Sequence, residues 1–272
     1  MGRNVKFEFC SLGSGSSGNC YYLGNGFQGI LIDAGISAGA IRKHLKEMGI
    51  SISAIMGVVI THNHSDHVKG LQVLVKKNRI PIFTTQTIWD NLEKHPHPQN
   101  IPVDCRRTIS VERKFHLAGF EIEAFPVTHD APETVGYHVE VGEKKITIVT
   151  DLGHICQTSA KYLKASNFIV IESNYDEQML INGNYPYYLK QRITANNGHL
   201  SNKQTADFLA ENLHDGISHI CLAHLSKNNN TPEQAFQTLH KTLTERGLKL
   251  NGTPRLLVLN RALTPELISV ND

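Results

Sequence analysis

One short segment, residues 61–67 with the sequence Thr-His-Asn-His-Ser-Asp-His, constrains the fold more than any other part of the chain. It follows an apolar, β-branched run that predicts a buried strand, and it precedes a helical pattern. Residues i and i+2 of an extended strand end point the same way, so His62 and His64 can face one cation. Asp66 and His67 begin the helix and can face a second one. Imidazole and carboxylate groups are the ligands that zinc prefers beside thiolates.

Four ligands on one loop are too few for two ions, and the chain offers further ones at other predicted strand ends. His129, Asp151 and His224 each follow an apolar run. Open α/β sheets keep their ligand sites at the carboxyl ends of their strands. We therefore expect these three residues to meet the 61–67 segment in one site.

The composition is that of an ordinary globular protein. The chain has 272 residues, of which 40% are hydrophobic and 19% charged, and a net charge of +2. This charge is too small for a general nucleic-acid coat and leaves only a local basic groove as an option. The sequence has no apolar run of the roughly 18 residues that a membrane span requires. It also has no repeat and no linker-like segment, so we predict a single domain over 1–272.

Cysteine usage indicates a reducing compartment. The five cysteines are scattered and form no CxxC pair, which argues against both a disulfide framework and a thiolate zinc site. We therefore expect a cytoplasmic protein without membrane attachment. The 15 histidines, by contrast, outnumber the 8 tyrosines and the 10 phenylalanines.

Hydrophobic periodicity predicts an α/β fold with strands in both halves of the chain. A period near 3.6 predicts helices over 37–48, 66–77, 87–94, 202–213 and 232–246. Segment 174–198 has no clean period, and we expect a long loop with one short helix there. Strands are predicted over 5–10, 20–23, 29–32, 55–60, 80–84, 114–117, 120–125, 135–141, 145–149, 168–171, 217–222 and 255–259.

The pattern HxHxDH at 62–67, followed by single strand-end residues, resembles the metallo-β-lactamase superfamily. This resemblance implies a four-layer αβ/βα sandwich and two divalent cations. The first cation would be held by His62, His64 and His129, the second by Asp66, His67 and His224, and Asp151 would bridge them. True β-lactamases are expected to carry Cys where this chain has Asp151, whereas Asp is typical of the hydrolase and nuclease branches.

Two further segments resemble one branch of that superfamily. They are Ile171-Glu172-Ser173-Asn174 and Gly198-His199-Leu200-Ser201-Asn202. Their positions resemble those of two motifs of tRNase Z-type phosphodiesterases, and their residues are similar to those of the YycJ/WalJ family. In that comparison His199 donates a proton to the leaving oxygen and Glu172 orients it. The resemblance implies a 5′-to-3′ DNA exonuclease that uses a hydroxide activated by two metal ions, with Asp66 also in the catalytic set.

Substrate contacts are predicted from loops that resemble the same family. The Gly/Ser loop at 13–18 either cradles a phosphate or forms a tight turn between two strands. Basic residues at 190–192 either bind backbone phosphates or form solvated surface. The candidate substrate-binding residues are Ser16, Asn19, Lys190, Arg192, Ser226 and Asn228.

Other functions use a similar ligand set. A small-molecule hydrolase, such as a thioesterase of the glyoxalase II kind or a small phosphodiesterase, is the main alternative, but a thiolate leaving group needs no acid such as His199. A di-iron redox protein is expected to carry Glu in place of His64, and a binding module without catalysis does not account for the complete ligand set. We expect zinc, with manganese or iron as options, and a nucleic-acid substrate; oligomeric state stays open, with a homodimer as one option.

Overall fold

Fourteen strands form two seven-stranded sheets in the computed structural model, which describes residues 7–96, 98, 100–248, 252–259 and 266–270. Every strand predicted from the sequence is present, although the first two residues of the one predicted over 5–10 lie outside the described residues. The strands are β1 (Phe7–Gly13), β2 (Cys20–Gly24), β3 (Gly29–Ile32), β4 (Ile55–Val59), β5 (Ile82–Thr84), β6 (Arg106–Thr108), β7 (Lys114–Leu117), β8 (Phe120–Val127), β9 (Thr134–Val141), β10 (Lys144–Val149), β11 (Phe168–Glu172), β12 (His219–Ala223), β13 (Arg255–Val258) and β14 (Ile268–Val270).

Both sheets are mixed. The first has the order β14-β1-β2-β3-β4-β5-β6, and the second has the order β13-β12-β11-β10-β9-β8-β7. Strands β3 to β6 run parallel to one another, as do β10 to β13, whereas β1 to β3 and β7 to β10 are antiparallel. The carboxyl ends of parallel neighbours share one edge of their sheet. His62, Asp151 and His224 follow such ends, whereas His129 follows β8, whose neighbours are antiparallel to it.

Helices flank the two sheets. In the described part of the chain they are α1 (Ala38–Glu47), α2 (Ser65–Val68), α3 (Leu71–Asn78), α4 (Gln86–Leu92), α5 (Gln157–Lys164), α6 (Glu177–Asn182), α7 (Tyr187–Thr194), α8 (Asn202–Asn212) and α9 (Pro232–Glu245). Short 3₁₀ turns cover Ile52–Ala54 and Val103–Cys105. Among the described helices, none combines the length and the apolar character needed to cross a membrane.

Strand β11 shows how the layers pack. Phe168 and Val170 belong to the core between the sheets, where the Phe168 ring lies 5.1 Å from that of Phe9. Ile169 and Ile171, on the other face, pack with residues of α5, α8 and α9. Successive side chains of a strand point to opposite faces, so a strand buried throughout must be covered on both sides. The result is the predicted α/β sandwich of two sheets between two helical layers.

The helix predicted over 66–77 is divided in two. Gly70 separates α2 from α3, and its amide nitrogen donates to the carbonyl of Ala34 at 2.7 Å. A Cβ atom at position 70 would lie 2.1 Å from the carbonyl oxygen of Ile36. The close approach of these two backbone segments therefore requires glycine and interrupts the helix.

The single short helix expected in 174–198 is a wrong prediction, because two helices, α6 and α7, lie there. Asp176 caps α6 through its side chain, and Pro186 stands at the N-cap of α7. Leu180 and Ile193 pack in a small separate cluster, and helices this short give little periodic signal. Helix α5 and the three-residue edge strands β6 and β14 lie in segments for which the sequence predicts no element.

Candidate metal and catalytic site

A left-handed backbone conformation orients three site residues that follow strands. Asp33, Asp151 and His224 follow β3, β10 and β12, and their φ angles are 60°, 57° and 54°. Left-handed backbone is uncommon for residues other than glycine and persists where the surrounding structure compensates the strain. The strain at these three positions therefore marks the place where both sheets present polar side chains.

The first cluster contains His62, His64 and His129. One ring nitrogen of each lies within 4.8 Å of the others. The buried Nε2 atoms of His62 and His129 have no hydrogen-bond partner among the described residues. Burial holds the pKa of His62 well below its usual value and also lowers the pKa of His64. Neutral imidazoles with an unpaired nitrogen are in the state that binds a metal ion.

The second cluster contains Asp66, His67 and His224, whose ligand atoms also lie within 4.8 Å of one another. The Oδ2 atom of Asp66 is 3.7 Å from Nε2 of His67 and 3.7 Å from Nε2 of His224. Burial opposes protonation of His224, but Asp151 and the other carboxylates outweigh it and raise its pKa to about 10. A cation in this cluster would take the place of that proton.

Asp151 lies between the two clusters. Its Oδ2 is 3.0 Å from Nε2 of His67, and its Oδ1 is 3.7 Å from Nε2 of His129. It groups with His62 and His67 within 4.8 Å, and its side chain is 3% exposed. One carboxylate thus reaches members of both clusters through different oxygens.

In each of the four buried histidines of the clusters, the Nδ1 atom contacts a protein group. These bonds fix the ring orientation and leave Nε2 facing the clusters, which is the arrangement that supports metal-binding histidines. The pairs are His62 with Thr61 Oγ1 at 3.0 Å, His67 with Asp33 Oδ2 at 2.7 Å, His129 with the Gly198 carbonyl at 3.0 Å, and His224 with Glu172 Oε1 at 2.7 Å.

Asp33 is a site residue that the sequence analysis did not single out. It is fully buried, and it accepts hydrogen bonds from the Thr61 amide at 2.9 Å, the Thr61 hydroxyl at 2.9 Å and the His67 ring. Burial raises its pKa against the opposing effect of His67. Its position directly after the apolar strand β3 is the same signal that identified Asp151.

A histidine–glutamate pair adjoins the clusters. Nδ1 of His199 lies 2.9 Å from Oε1 of Glu172, which is fully buried, and Oε2 of Glu172 accepts from the amides of Leu152 and Leu200. Burial raises the pKa of Glu172, but His199 and His224 outweigh it and lower that pKa to about 2. Burial lowers the pKa of His199, and the Glu172 carboxylate outweighs it, so the imidazole holds its proton more strongly than usual.

A cleft opens from this pair to solvent. Ser16, Arg192 and Ser226 line it together with Asp130 and His199. These three residues are the predicted substrate contacts that the structure brings beside the clusters.

The other three predicted substrate contacts have different surroundings. Asn19 is fully buried, and its Nδ2 lies 3.0 Å from Nε2 of His67. Lys190 donates to the carbonyl of Ile181 at 2.6 Å, and Asn228 donates to the Tyr185 hydroxyl at 3.1 Å. Asn19 thus lies against the second cluster, Lys190 joins α7 to α6, and Asn228 contacts the segment between these two helices.

The Gly/Ser loop joins the two halves of the site. The Ser14 hydroxyl accepts from the backbone amide of His224 at 2.9 Å, and Asn19 accepts from the Gly15 amide at 2.9 Å. The loop residues Ser16 and Ser17 are exposed, and Ser16 borders the cleft. The loop therefore supports His224 from one side and presents a hydroxyl to the cleft from the other.

Comparison with known proteins agrees with this geometry. Residues 28–217 match the family described as Beta-lactamase superfamily domain. The fold resembles that of the metallo-beta-lactamase fold protein YhfI from Bacillus subtilis, with a TM-score of 0.72 and 12% identity over 98% of this chain and 100% of that chain. The donor set of the clusters and the fold together identify a divalent-metal site.

Two relatives cover nearly the whole chain. The sequence is 36% identical over 240 residues to exodeoxyribonuclease YycJ of Bacillus anthracis, covering 88% of this chain and 90% of the relative. It is 31% identical over 244 residues to exodeoxyribonuclease WalJ of Streptococcus pneumoniae serotype 2 strain D39, covering 90% and 91%. The chain therefore belongs to the metallo-β-lactamase superfamily of hydrolases and, within it, to the family of the YycJ and WalJ exodeoxyribonucleases.

Proposed function

We propose that this hydrolase is a dinuclear metal-dependent phosphodiesterase that removes nucleotides from DNA in the 5′-to-3′ direction. The observation that carries the proposal is the position of Asp151 between two ligand clusters, with the Glu172–His199 pair beside them at the base of an open cleft. The exodeoxyribonuclease names of the two relatives support DNA as the substrate.

His62, His64 and His129 would hold one cation, Asp66, His67 and His224 the second, and Asp151 both. The ligands are nitrogen and oxygen atoms, which suits zinc and also tolerates manganese or iron. Two such cations supply a nucleophile from water at neutral pH and neutralise charge on the non-bridging phosphate oxygens. The orphaned Nε2 atom of His62 fits this role, because buried polar atoms are otherwise paired.

His199 would supply the proton that the leaving sugar oxygen needs. Glu172 binds Nδ1 of His199 and keeps the ring protonated, so the Nε2–H group can donate toward the cleft. An alkoxide is a poor leaving group, and a positioned general acid contributes about 10²–10⁴-fold to such a step. A thioester hydrolase has no comparable need, and this distinguishes the proposed function from the thioesterase alternative.

Substrate contacts would come from the cleft wall. Arg192, with its forked guanidinium, would bind a backbone phosphate, and the hydroxyls of Ser16 and Ser226 would hydrogen-bond to phosphate or sugar oxygens. Asn19 is better assigned to positioning His67 and Asp66, because it has no exposed surface. Lys190 and Asn228 would act by holding the cleft walls in place.

We further propose one hydrolase domain over 1–272 that works in the cytoplasm. Cys10, Cys20, Cys105 and Cys221 are free and buried. Unpaired cysteines of this kind are expected where the environment is reducing.

Labelled nucleic acids test the proposed function. Purified protein with added Zn²⁺ or Mn²⁺ is incubated with DNA labelled at the 5′ or the 3′ end, single- or double-stranded, with matched RNA and a glutathione thioester as comparison substrates. We expect mononucleotide release from DNA starting at the 5′ end, and no release by an Asp66→Ala variant. Preferential hydrolysis of the thioester, or equal activity of the Asp66→Ala variant, would reject the proposal.

A further inference from the structure

Helix α7 carries an exposed aromatic residue beside the cleft that the proposed function does not use. Tyr188 is 71% exposed, although large hydrophobic side chains are usually covered. One helical turn later on the same helix lies Arg192, which lines the cleft with His199. Residues four apart on a helix are neighbours, with Cβ atoms about 5–6 Å apart.

Helical geometry distinguishes Tyr188 from the tyrosine next to it. At 3.6 residues per turn, Tyr188 lies about 40° around the helix from Arg192, whereas Tyr187 lies about 140° away. Tyr187 is 74% exposed, so the two rings have equal access to solvent but face different directions. Arg192 lines the cleft together with Leu189 and Ile193 of the same helix, and of the two exposed rings only that of Tyr188 lies next to Arg192 on the helix surface.

The helix that carries this face is held firmly. Leu189 and Ile193 pack in a cluster with Tyr175, Leu180 and Tyr185. The exposed ring of Tyr188 is therefore mounted on a fixed support and loses little freedom when a flat partner binds to it.

Arg192 is held in place by Asp130, which also contacts His129 of the first cluster. Its Nε donates to Oδ2 of Asp130 at 2.5 Å, and Oδ1 of the same carboxylate lies 3.1 Å from Nε2 of His129. The side chain of Arg192 is 60% exposed. Its two terminal amino groups have no hydrogen-bond partner within the described ranges, so they can receive an anionic group while Nε stays bound to Asp130.

We propose that Tyr188 and Arg192 form a binding surface for an unpaired nucleotide next to the cleaved bond. Arg192 binds the phosphate, and the base attached to the neighbouring sugar stacks on the ring of Tyr188. This inference rests on the proposed phosphodiesterase function and specifies it: the strand enters the site single-stranded. Aromatic stacking accepts every base, which suits an enzyme that removes nucleotides regardless of sequence. Helix α7 carries Lys190 and Arg192 and no acidic residue, so its charge matches a polyanion.

Binding of a fluorescent single-stranded oligodeoxynucleotide tests this surface. Anisotropy is measured with Zn²⁺-loaded protein in a His199→Ala background, so that cleavage does not interfere. Adding Tyr188→Ala should weaken binding at least about 5-fold, the lower end of the effect of one base stack. Tyr188→Phe should restore it, because the ring remains. Tyr187→Ala, equally exposed on the other face, should bind as the parent does.

A matched oligonucleotide with abasic sites over its terminal nucleotides separates stacking from a general structural effect. The loss caused by Tyr188→Ala should disappear on that strand, because the base that stacks is absent. Equal losses on both strands, or equal losses from Tyr187→Ala and Tyr188→Ala, would overturn the inference. So would a change of sedimentation coefficient with Tyr188→Ala, which would make this face a contact between two copies of the chain.

Turnover of the same oligonucleotide by the protein with His199 intact is a separate readout. Binding that depends on Tyr188 without any turnover would refute the phosphodiesterase function and retain the nucleotide-binding surface. Turnover together with binding that does not depend on Tyr188 would support the phosphodiesterase function and refute the nucleotide-binding surface. The two proposals can therefore fail independently.

Discussion

The Nδ1 atom of His199 lies 2.9 Å from Oε1 of Glu172, and this contact determines which ring nitrogen of His199 is left for the cleft. Glu172 is fully buried and His199 is 21% exposed, so the negative charge is shielded while the proton is accessible. The pair thus has the geometry of a general acid with its orienting carboxylate.

Replacing His199 by Ala should separate chemistry from metal binding. The variant should keep its metal, because His199 belongs to neither proposed cation cluster. Its turnover should fall about 10²–10⁴-fold on DNA, whose leaving group needs a proton, and much less on a nitrophenyl phosphodiester. Metal content and kcat on both substrates check this. Equal losses on the two substrates would contradict the acid role.

Replacing Glu172 by Gln should move the pH profile. A general acid works while protonated, so activity falls as pH rises through the pKa of His199. The Glu172 carboxylate raises that pKa, and the neutral amide removes the effect, so the alkaline limb should shift to lower pH. The measurement is kcat against pH at confirmed metal occupancy, since Glu172 also contacts His224. An unshifted limb would show that another group sets it.

Replacing Asp151 by Ala should release metal. Its two oxygens reach His67 and His129 in different clusters, so its loss affects both. After dialysis, elemental analysis should find much less bound metal in the variant than in the parent protein. Asp104→Ala, which removes a carboxylate that is 63% exposed, is the matched control and should retain the parent content. Full occupancy of the Asp151→Ala variant would refute the bridging assignment.

Replacing Asp33 by Asn should weaken metal binding from outside the ligand set. Asp33 accepts from Nδ1 of His67 at 2.7 Å and thereby sets the ring orientation and basicity. Loss of such a supporting carboxylate costs about 10–100-fold in metal affinity. A competition titration with a metal chelator measures this change, and circular dichroism confirms that the fold is kept. Unchanged affinity would assign Asp33 to the fold alone.

The sequence predicted the strand-end residues well because their signal is local. Each of His129, Asp151 and His224 directly follows an apolar run, and the structure brings the predicted ligands into mutual reach. Asp33 carries the same signal but was not recognised, because its partner is a histidine ring and its position falls outside the metal-ligand pattern.

Other features depend on partners far away in sequence and have no local signature. Asn19 contacts His67 from 48 positions away, so neither segment alone reveals the bond. The strand β14 has three residues and is defined by its pairing with β1. The sequence predicts only one short helix where α6 and α7 lie, because helices this short give little periodic signal. Asp176 and Pro186 are nevertheless recognisable start signals.

The hydrogen bond between the Ser14 hydroxyl and the His224 amide spans 210 positions of the chain. A polypeptide that is still being synthesised contains residue 14 long before residue 224 emerges. Until then the candidate site lacks both this hydrogen bond and the proposed ligand His224. Contacts between such distant parts of the chain form late during folding. The candidate site is therefore complete only in chains that have been synthesised through residue 224 and have folded.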